Sequence, residues 1–103
     1  MRFYKNIVVS SGIKNVNKVK RMLHKRIAVY DVYCVCVRND SENLMDIIAS
    51  TQIFKQHHEG IDYLVIGIAD SKQEAFELVA NIIEEHIGTG EELSSFKNIY
   101  LEG

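Results

Sequence analysis

Ser10, Ser11, Gly12 and Lys14 form the part of this sequence whose residue types and spacing best fit ligand binding. They follow an apolar, β-branched run and precede a segment with helical spacing. Backbone amides at a helix N-terminus carry about half a positive charge, and Lys14 adds a full one, so the segment predicts a site for a phosphate or carboxylate group. Because it matches neither a Walker A loop nor a GxGxxG fingerprint, a turn with a helix-capping residue is the alternative interpretation.

Polar residues also follow two other predicted strands, Arg38 and Asn39 after one and Asp70 and Ser71 after another. In an open parallel sheet, ligands bind outside the carboxyl ends of the strands, where the strand order reverses. If all these strands are parallel, the residues that follow them meet at one edge of the sheet. The candidate anion-binding set at that edge is Ser10, Ser11, Gly12, Lys14, Arg38, Asn39, Asp70 and Ser71.

Cys34 and Cys36 are two residues apart in a predicted strand, so both side chains point to the same face. A zinc site needs more ligands than this pair supplies, and cysteine is among the most often buried residue types, so we expect both in the core. His57 and His58 are adjacent, and on a helix their side chains point about 100° apart, which disfavours chelation of one ion. The sequence therefore predicts no metal site and no cofactor.

The strands are the clearest elements of the sequence. Residues 3–10 and 28–38 are rich in β-branched and aromatic types. Residues 61–69 form a nearly continuous apolar run, which is typical of a strand covered on both faces. A short last strand is predicted over residues 96–101, and its direction is left open.

Three helices are predicted between these strands. Asn15 caps the first, and Ser71 opens the third through a capping box with Glu74. The second begins within residues 39–41 and ends at Gly60, a natural residue to follow a helix. The side of the third helix that should face the sheet consists of Phe76, Val79, Ala80, Ile83 and Ile87.

The resulting order, β-α-β-α-β-α-β, favours a parallel sheet with right-handed crossovers. We therefore predict one α/β domain over residues 1–103, in three layers, with a mostly parallel four-stranded sheet in the order 2-1-3-4. Small phosphocarrier domains of sugar transport systems are similar at this level of architecture. They place a nucleophilic cysteine after the first strand, where this chain has Ser10 and Ser11, so the resemblance does not extend to their activity.

The formal net charge of −2 conceals a strongly polarised chain. The first 38 residues hold nine bases and one acid, a net of +8, and the rest holds three bases and thirteen acids, a net of −10. Six of the bases lie between Lys14 and Arg26 with no acid among them. Such a helix can bind nucleic-acid phosphates, but the acidic remainder repels a polyanion and no aromatic stacking platform is apparent, so nucleic acid is disfavoured.

In the predicted strand order, a single helix covers one sheet face, and part of that apolar face stays open. This favours a homo-oligomer, most simply a two-fold dimer, in which the basic helix of one subunit meets an acidic helix of the next. The absence of a signal-like N-terminus and of a membrane-length apolar run, together with two cysteines too close for an ordinary disulfide, predicts a cytoplasmic protein without membrane partners.

The sequence contains no recognisable catalytic constellation, and the expectation leans away from an enzyme. The function expected from these observations is that of a non-catalytic, homo-oligomeric binding or regulatory module. Two alternatives stay open. One is a small anionic-ligand or phosphoryl-handling domain that uses the strand-end loops, and the other is a nucleic-acid adaptor that uses the basic first helix.

Overall fold

The computed structural model describes residues 1–55 and 60–101. The elements within them are β1 (Arg2–Val9), α1 (Val16–His24), β2 (Tyr33–Val37), β3 (Asp46–Ala49), α2 (Ser50–Ile53), β4 (Leu64–Ala69), α3 (Lys72–Gly88) and α4 (Phe96–Leu101), with a 3₁₀ turn at Leu93–Ser95 before α4. The four strands form one sheet in the order β1-β4-β2-β3. The α/β class and the four-stranded sheet are confirmed, and the predicted order is wrong.

The sheet is mixed, because only β1 and β4 are parallel neighbours. β2 runs antiparallel to both β4 and β3, so the prediction of a mostly parallel sheet is wrong. The connection between β2 and β3, residues 38–45, accounts for the antiparallel pairing of these two strands, but not for the direction of β2 against β4. A segment of this length suits an antiparallel connection, whereas a parallel crossover needs a dozen or more residues.

The predicted second helix is replaced by β3 and the single turn of α2. Ile48 packs in one core cluster and Ile47 in the other, which is the alternation of a strand rather than one face of a helix. A short apolar run fits the 3.6-residue period of a helix as well as the two-residue period of a strand, so the sequence alone does not decide between the two. Gly60 has φ of 82°. α2 ends at Ile53, and the predicted end of the second helix falls on residues 56–59, which lie outside the described residues.

The predicted last strand is also wrong, because Phe96–Leu101 forms α4. Phe96 is fully buried, and its ring lies 5.0 Å from that of Tyr100 between centroids. Tyr100 in turn contacts Tyr4 of β1, with ring centroids 4.9 Å apart. Aromatic residues four apart meet on one side of a helix, and this spacing outweighs the strand preference of the individual residues.

Two apolar clusters lie on opposite faces of the sheet, and β2 separates them because its successive side chains alternate. Cys34 and Cys36 pack in the cluster that contains Leu23 of α1. Val35 and Val37 pack in the cluster that contains Ala75 and Ile82 of α3 and Phe96 of α4. The sheet thus separates α1 from α3 and α4.

The structure turns α3 by roughly 100° about its axis relative to the predicted orientation. Ala75, Ile82 and His86 are its buried residues. Phe76 and Ile87, which were expected to face the sheet, are 53% and 54% exposed. The helix is apolar over so wide an arc that periodicity does not select one side. Among the described residues, no helix is long and apolar enough to span a membrane.

Candidate functional site

β1 and β4 are parallel neighbours, so their carboxyl ends lie side by side and bring together four of the candidate residues. We call this group, Ser10, Gly12, Asp70 and Ser71, the Ser10 end of the sheet. The Ser10 hydroxyl donates to Asp70 Oδ1 at 2.7 Å and accepts the Asp70 backbone N–H at 3.0 Å. Ser10 is only 4% exposed, and its hydroxyl is therefore fully engaged with one neighbouring residue.

Gly12 allows the Asp70 carboxylate to lie directly against the backbone of the β1–α1 turn. A Cβ at Gly12 would stand 1.7 Å from Asp70 Oδ2, so any side chain here displaces the carboxylate. Glycine is needed at this position because the Asp70 carboxylate approaches the backbone closely, and not because of an unusual backbone conformation. Ser71 caps α3 as predicted, since its hydroxyl accepts the backbone N–H of Glu74 at 3.0 Å.

The charge at the Ser10 end is unfavourable for an anion. The Asp70 carboxylate already occupies the space beside Ser10 and Gly12. The pKa of Glu74 is raised, first by the charge of Glu77, then by partial desolvation, and also by Asp70. These carboxylates repel one another and would repel an added phosphate. Ser11 and Lys14, the other predicted ligands in this turn, are exposed.

Arg38 and Asn39 lie at the opposite end of the sheet. β2 runs antiparallel to β4, and Val37 pairs with Leu64, the first residue of β4. The expectation that Arg38 and Asn39 share an edge with Ser10 is therefore wrong, because it assumed a parallel β2. We call the group formed by Arg38, Asp40, Asp46 and Lys97 the Arg38 end.

The Arg38 side chain is three-quarters buried between two acids and an aromatic ring. Its Nε lies 3.5 Å from Asp46 Oδ2 and 3.7 Å from Asp40 Oδ1. The guanidinium carbon lies 5.8 Å from the centroid of the Tyr63 ring, within the range of a cation–π contact. Arg38 thus serves the fold as an internal counter-ion.

Lys97 of α4 is a residue of this end that sequence reasoning missed. Its ammonium donates to the backbone carbonyl of Arg38 at 3.0 Å and to that of Ser41. These bonds fasten α4 to the turn that follows β2. The prediction of a strand over residues 96–101 concealed the contact, since a side chain on a helix has a different direction.

An open cavity of about 520 Å³ lies near the Arg38 end. Arg2 and Asp62 form an exposed, two-pronged ion pair on its wall, at 2.9 Å and 3.1 Å. The residues that line the cavity are Arg2, Asn39, Asp40, Gly60, Ile61, Asp62, Asn98 and Leu101. Its charges are of both signs and are paired, so the cavity favours neither an anionic nor a cationic ligand.

Cys34 and Cys36 are both fully buried, as the sequence predicts. Burial raises the pKa of Cys34 to about 12. The pKa of Cys36 also rises through burial, with further contributions from Cys34 and Asp46. Both thiols are protonated at neutral pH and are poor nucleophiles. The described residues contain no group of three or more potential metal ligands, and His57 and His58 lie outside these residues.

The surface around α1 carries most of the positive charge. Asn15 caps α1 by accepting the backbone N–H of Lys18 at 3.0 Å, as predicted. We define the basic surface as the exposed cations of α1 and its flanks together with the two exposed apolar residues that follow them. It consists of Lys14, Lys18, Arg21, Lys25, Arg26, Ile27 and Tyr30.

Tyr30, four positions after Arg26, is 85% exposed. Arg26 packs over the Phe54 ring at 5.2 Å. Across residues 1–55 and 60–101, none of the cations of the basic surface takes part in an ion pair. Their charge is therefore not neutralised within the described part of the chain.

No protein-family model, no curated protein and no solved structure matches this chain.

Proposed function

We propose that this protein is a non-catalytic cytoplasmic module that acts by binding and that associates with its own copies. The observation that carries the proposal is an apolar stripe on the exposed side of α3. Phe76 and Ile87 at its ends are more than half exposed. Apolar patches of this kind on small proteins mark interaction sites.

The stripe is continuous along the helix. Phe76, Ala80, Ile83 and Ile87 follow one another at intervals of three or four residues, which places them on one side of α3. Ile82, Glu85 and His86, on another side, share a small cavity with Ile99 and Tyr100 of α4. The stripe therefore faces away from α4, and no described element of the chain covers Phe76 or Ile87.

The chemistry of the other polar groups supports a binding role over catalysis. The Ser10 hydroxyl is held on both sides by Asp70. The thiols of Cys34 and Cys36 are buried with raised pKa. Small-anion binding at the strand ends, the alternative reading, has less support because Asp70 places a carboxylate at the predicted site and Arg38 lies at the other end of the sheet.

Sedimentation velocity over a series of protein concentrations, at low and high salt, tests the proposal. We expect an assembly whose size increases with concentration. The paired substitution Phe76→Ser with Ile87→Ser should shift it to monomer, while Leu93→Ser, at a residue 42% exposed outside the stripe, should not. A wild-type protein that is monomeric under all these conditions would show that the proposal is wrong.

A further inference from the structure

We propose that the apolar stripe of α3 receives the basic surface of a second copy, so that copies join head to tail. The inference rests on the proposed function, self-association, and names the two surfaces that meet. The stripe is apolar and has acidic residues of α3 beside it, whereas the basic surface combines cations with Ile27 and Tyr30, and the sheet separates the two.

The acidic partner surface is α3 itself. Glu77 and Glu84 are exposed and lie roughly 90° around the helix from the stripe. The remaining acids of the helix are Glu74 and Glu85, and Lys72 is its only lysine or arginine. The raised pKa of Glu74 reports repulsion from Glu77 and Asp70. A cation placed here by another chain relieves that repulsion.

The basic surface supplies the matching groups. Lys18 and Arg21 on α1 and Lys25 just beyond it are exposed and, within the described residues, take part in no ion pair. Ile27, at 46% exposure, and Tyr30 follow directly. The basic surface of one copy, which combines cations with Ile27 and Tyr30, thus faces on another copy an apolar stripe that has Glu77 and Glu84 along one side. Such complementarity selects partners and fixes their orientation.

The position of the two surfaces determines the kind of assembly. Leu23 of α1 packs in one core cluster, and Ala75 and Ile82 of α3 pack in the other, so the sheet separates them. One copy therefore cannot bring its own surfaces together. A two-fold contact of α3 with itself brings the exposed acids Glu77 and Glu84 of both copies to the same interface, where like charges repel. A contact between unlike surfaces produces a ring if it closes and an open chain if it does not.

Charge reversal tests the contact directly. One variant carries Lys18→Glu and Arg21→Glu, and the other carries Glu77→Lys and Glu84→Lys. In a solution of either variant alone, the two surfaces that meet carry charges of the same sign. The protein concentration needed for association should therefore rise by about tenfold or more. An equimolar mixture should associate again, because each variant then offers a surface that complements the other. Lys5→Glu, an exposed reversal on β1, is the control.

Each measurement is made by sedimentation on protein whose thermal unfolding matches the wild type. If wild type associates but neither reversal weakens it, the head-to-tail contact is wrong and self-association stands. Pairing along the free edge of β3 would give this result. If wild type is monomeric, both proposals fail. If wild type is monomeric and binds single-stranded RNA in a manner lost with Tyr30→Ser, the basic surface serves nucleic acid and the inference is overturned.

Discussion

The Ser10 end and the Arg38 end of the sheet hold their polar groups in different ways. At the Ser10 end, one hydroxyl and one aspartate satisfy each other through two hydrogen bonds of 2.7 Å and 3.0 Å. At the Arg38 end, Arg38 Nε and Asp46 Oδ2 are buried within an ion pair at 3.5 Å that lacks hydrogen-bond geometry. The first end depends on close packing of neutral and charged groups, and the second on charge.

This difference indicates what each end tolerates. Hydrogen bonds at the Ser10 end need accurate positions, and Gly12 supplies the space for them. The ion pair at the Arg38 end is less demanding in geometry, but removal of one partner leaves a charge in a site with little water. The Ser10 end should therefore be sensitive to added volume, and the Arg38 end to lost charge.

The largest effect is expected from Gly12→Ala. The new methyl group forces the Asp70 carboxylate away from Ser10, so that overpacking and a broken buried hydrogen bond together cost about 3 kcal/mol. Gly88→Ala at the end of α3 is the matched control, since a Cβ there meets no atom within 4 Å. Urea unfolding measures both. Equal stabilities for the two variants would contradict the close approach of Asp70.

Arg38→Met should have the next largest effect and lower the free energy of unfolding by about 2 kcal/mol, because it leaves the mostly buried Asp46 without its cation. Arg2→Met is the control. The Arg2–Asp62 pair is shorter, at 2.9 Å, but both side chains are more than half exposed, and exposed pairs contribute at most about 1 kcal/mol. If both substitutions lower the free energy of unfolding equally, burial does not distinguish the two ion pairs.

Lys97→Met should cost about 1 kcal/mol, since the carbonyls of Arg38 and Ser41 lose a charged donor but stay close to the surface. Met keeps most of the aliphatic side chain, so packing changes little. Lys72→Met, at an exposed position of α3, should leave the free energy of unfolding unchanged. If urea unfolding gives the same free energy of unfolding for both variants, Lys97 does not stabilise the Arg38 end.

The features of the two ends that the sequence predicts correctly are mainly those that depend on contacts between residues close together in the chain. Asn15 and Ser71 cap helices through bonds to residues three positions away, and such contacts depend on nearby sequence alone. The apolar runs of β2 and β4 identify central strands. The association of Ser10 with Asp70 follows from parallel neighbours, because their carboxyl ends share an edge of the sheet.

The remainder depends on contacts between distant parts of the chain. The direction of β2 places Arg38 far from Ser10, and no local pattern encodes that direction. Ile47 and Ile48 fit a helix or a strand, and pairing with β2 decides between them. Likewise, α3 offers apolar residues on two sides, and the sheet selects the side with Ala75. Tertiary packing outweighs local preference in each case.

The smallest expected effect is a change in the rate at which a thiol reagent labels Cys34 or Cys36. It is also the most direct test of whether the Ser10 end and the Arg38 end differ in stability. Cys34 pairs with Ile68 near the Ser10 end, and Cys36 pairs with Val65 nearer the Arg38 end. Each can be retained alone by replacing the other with Ala. Burial raises the pKa of Cys34 from 9.0 to about 12. The reactive thiolate is therefore suppressed roughly a thousandfold in the folded protein, and labelling reports opening of the sheet.

Gly12→Ala should accelerate labelling of Cys34 more than that of Cys36, and Lys97→Met should do the reverse. The expected contrast is severalfold, since each substitution weakens the sheet near one thiol. Above pH 9, the unfolded chain loses its thiol proton while the folded protein retains it up to about pH 12. Stability should therefore fall as the pH rises through this interval. If both thiols respond equally to both substitutions, the sheet opens as one cooperative unit, and the two ends differ in their contacts but not in their stability.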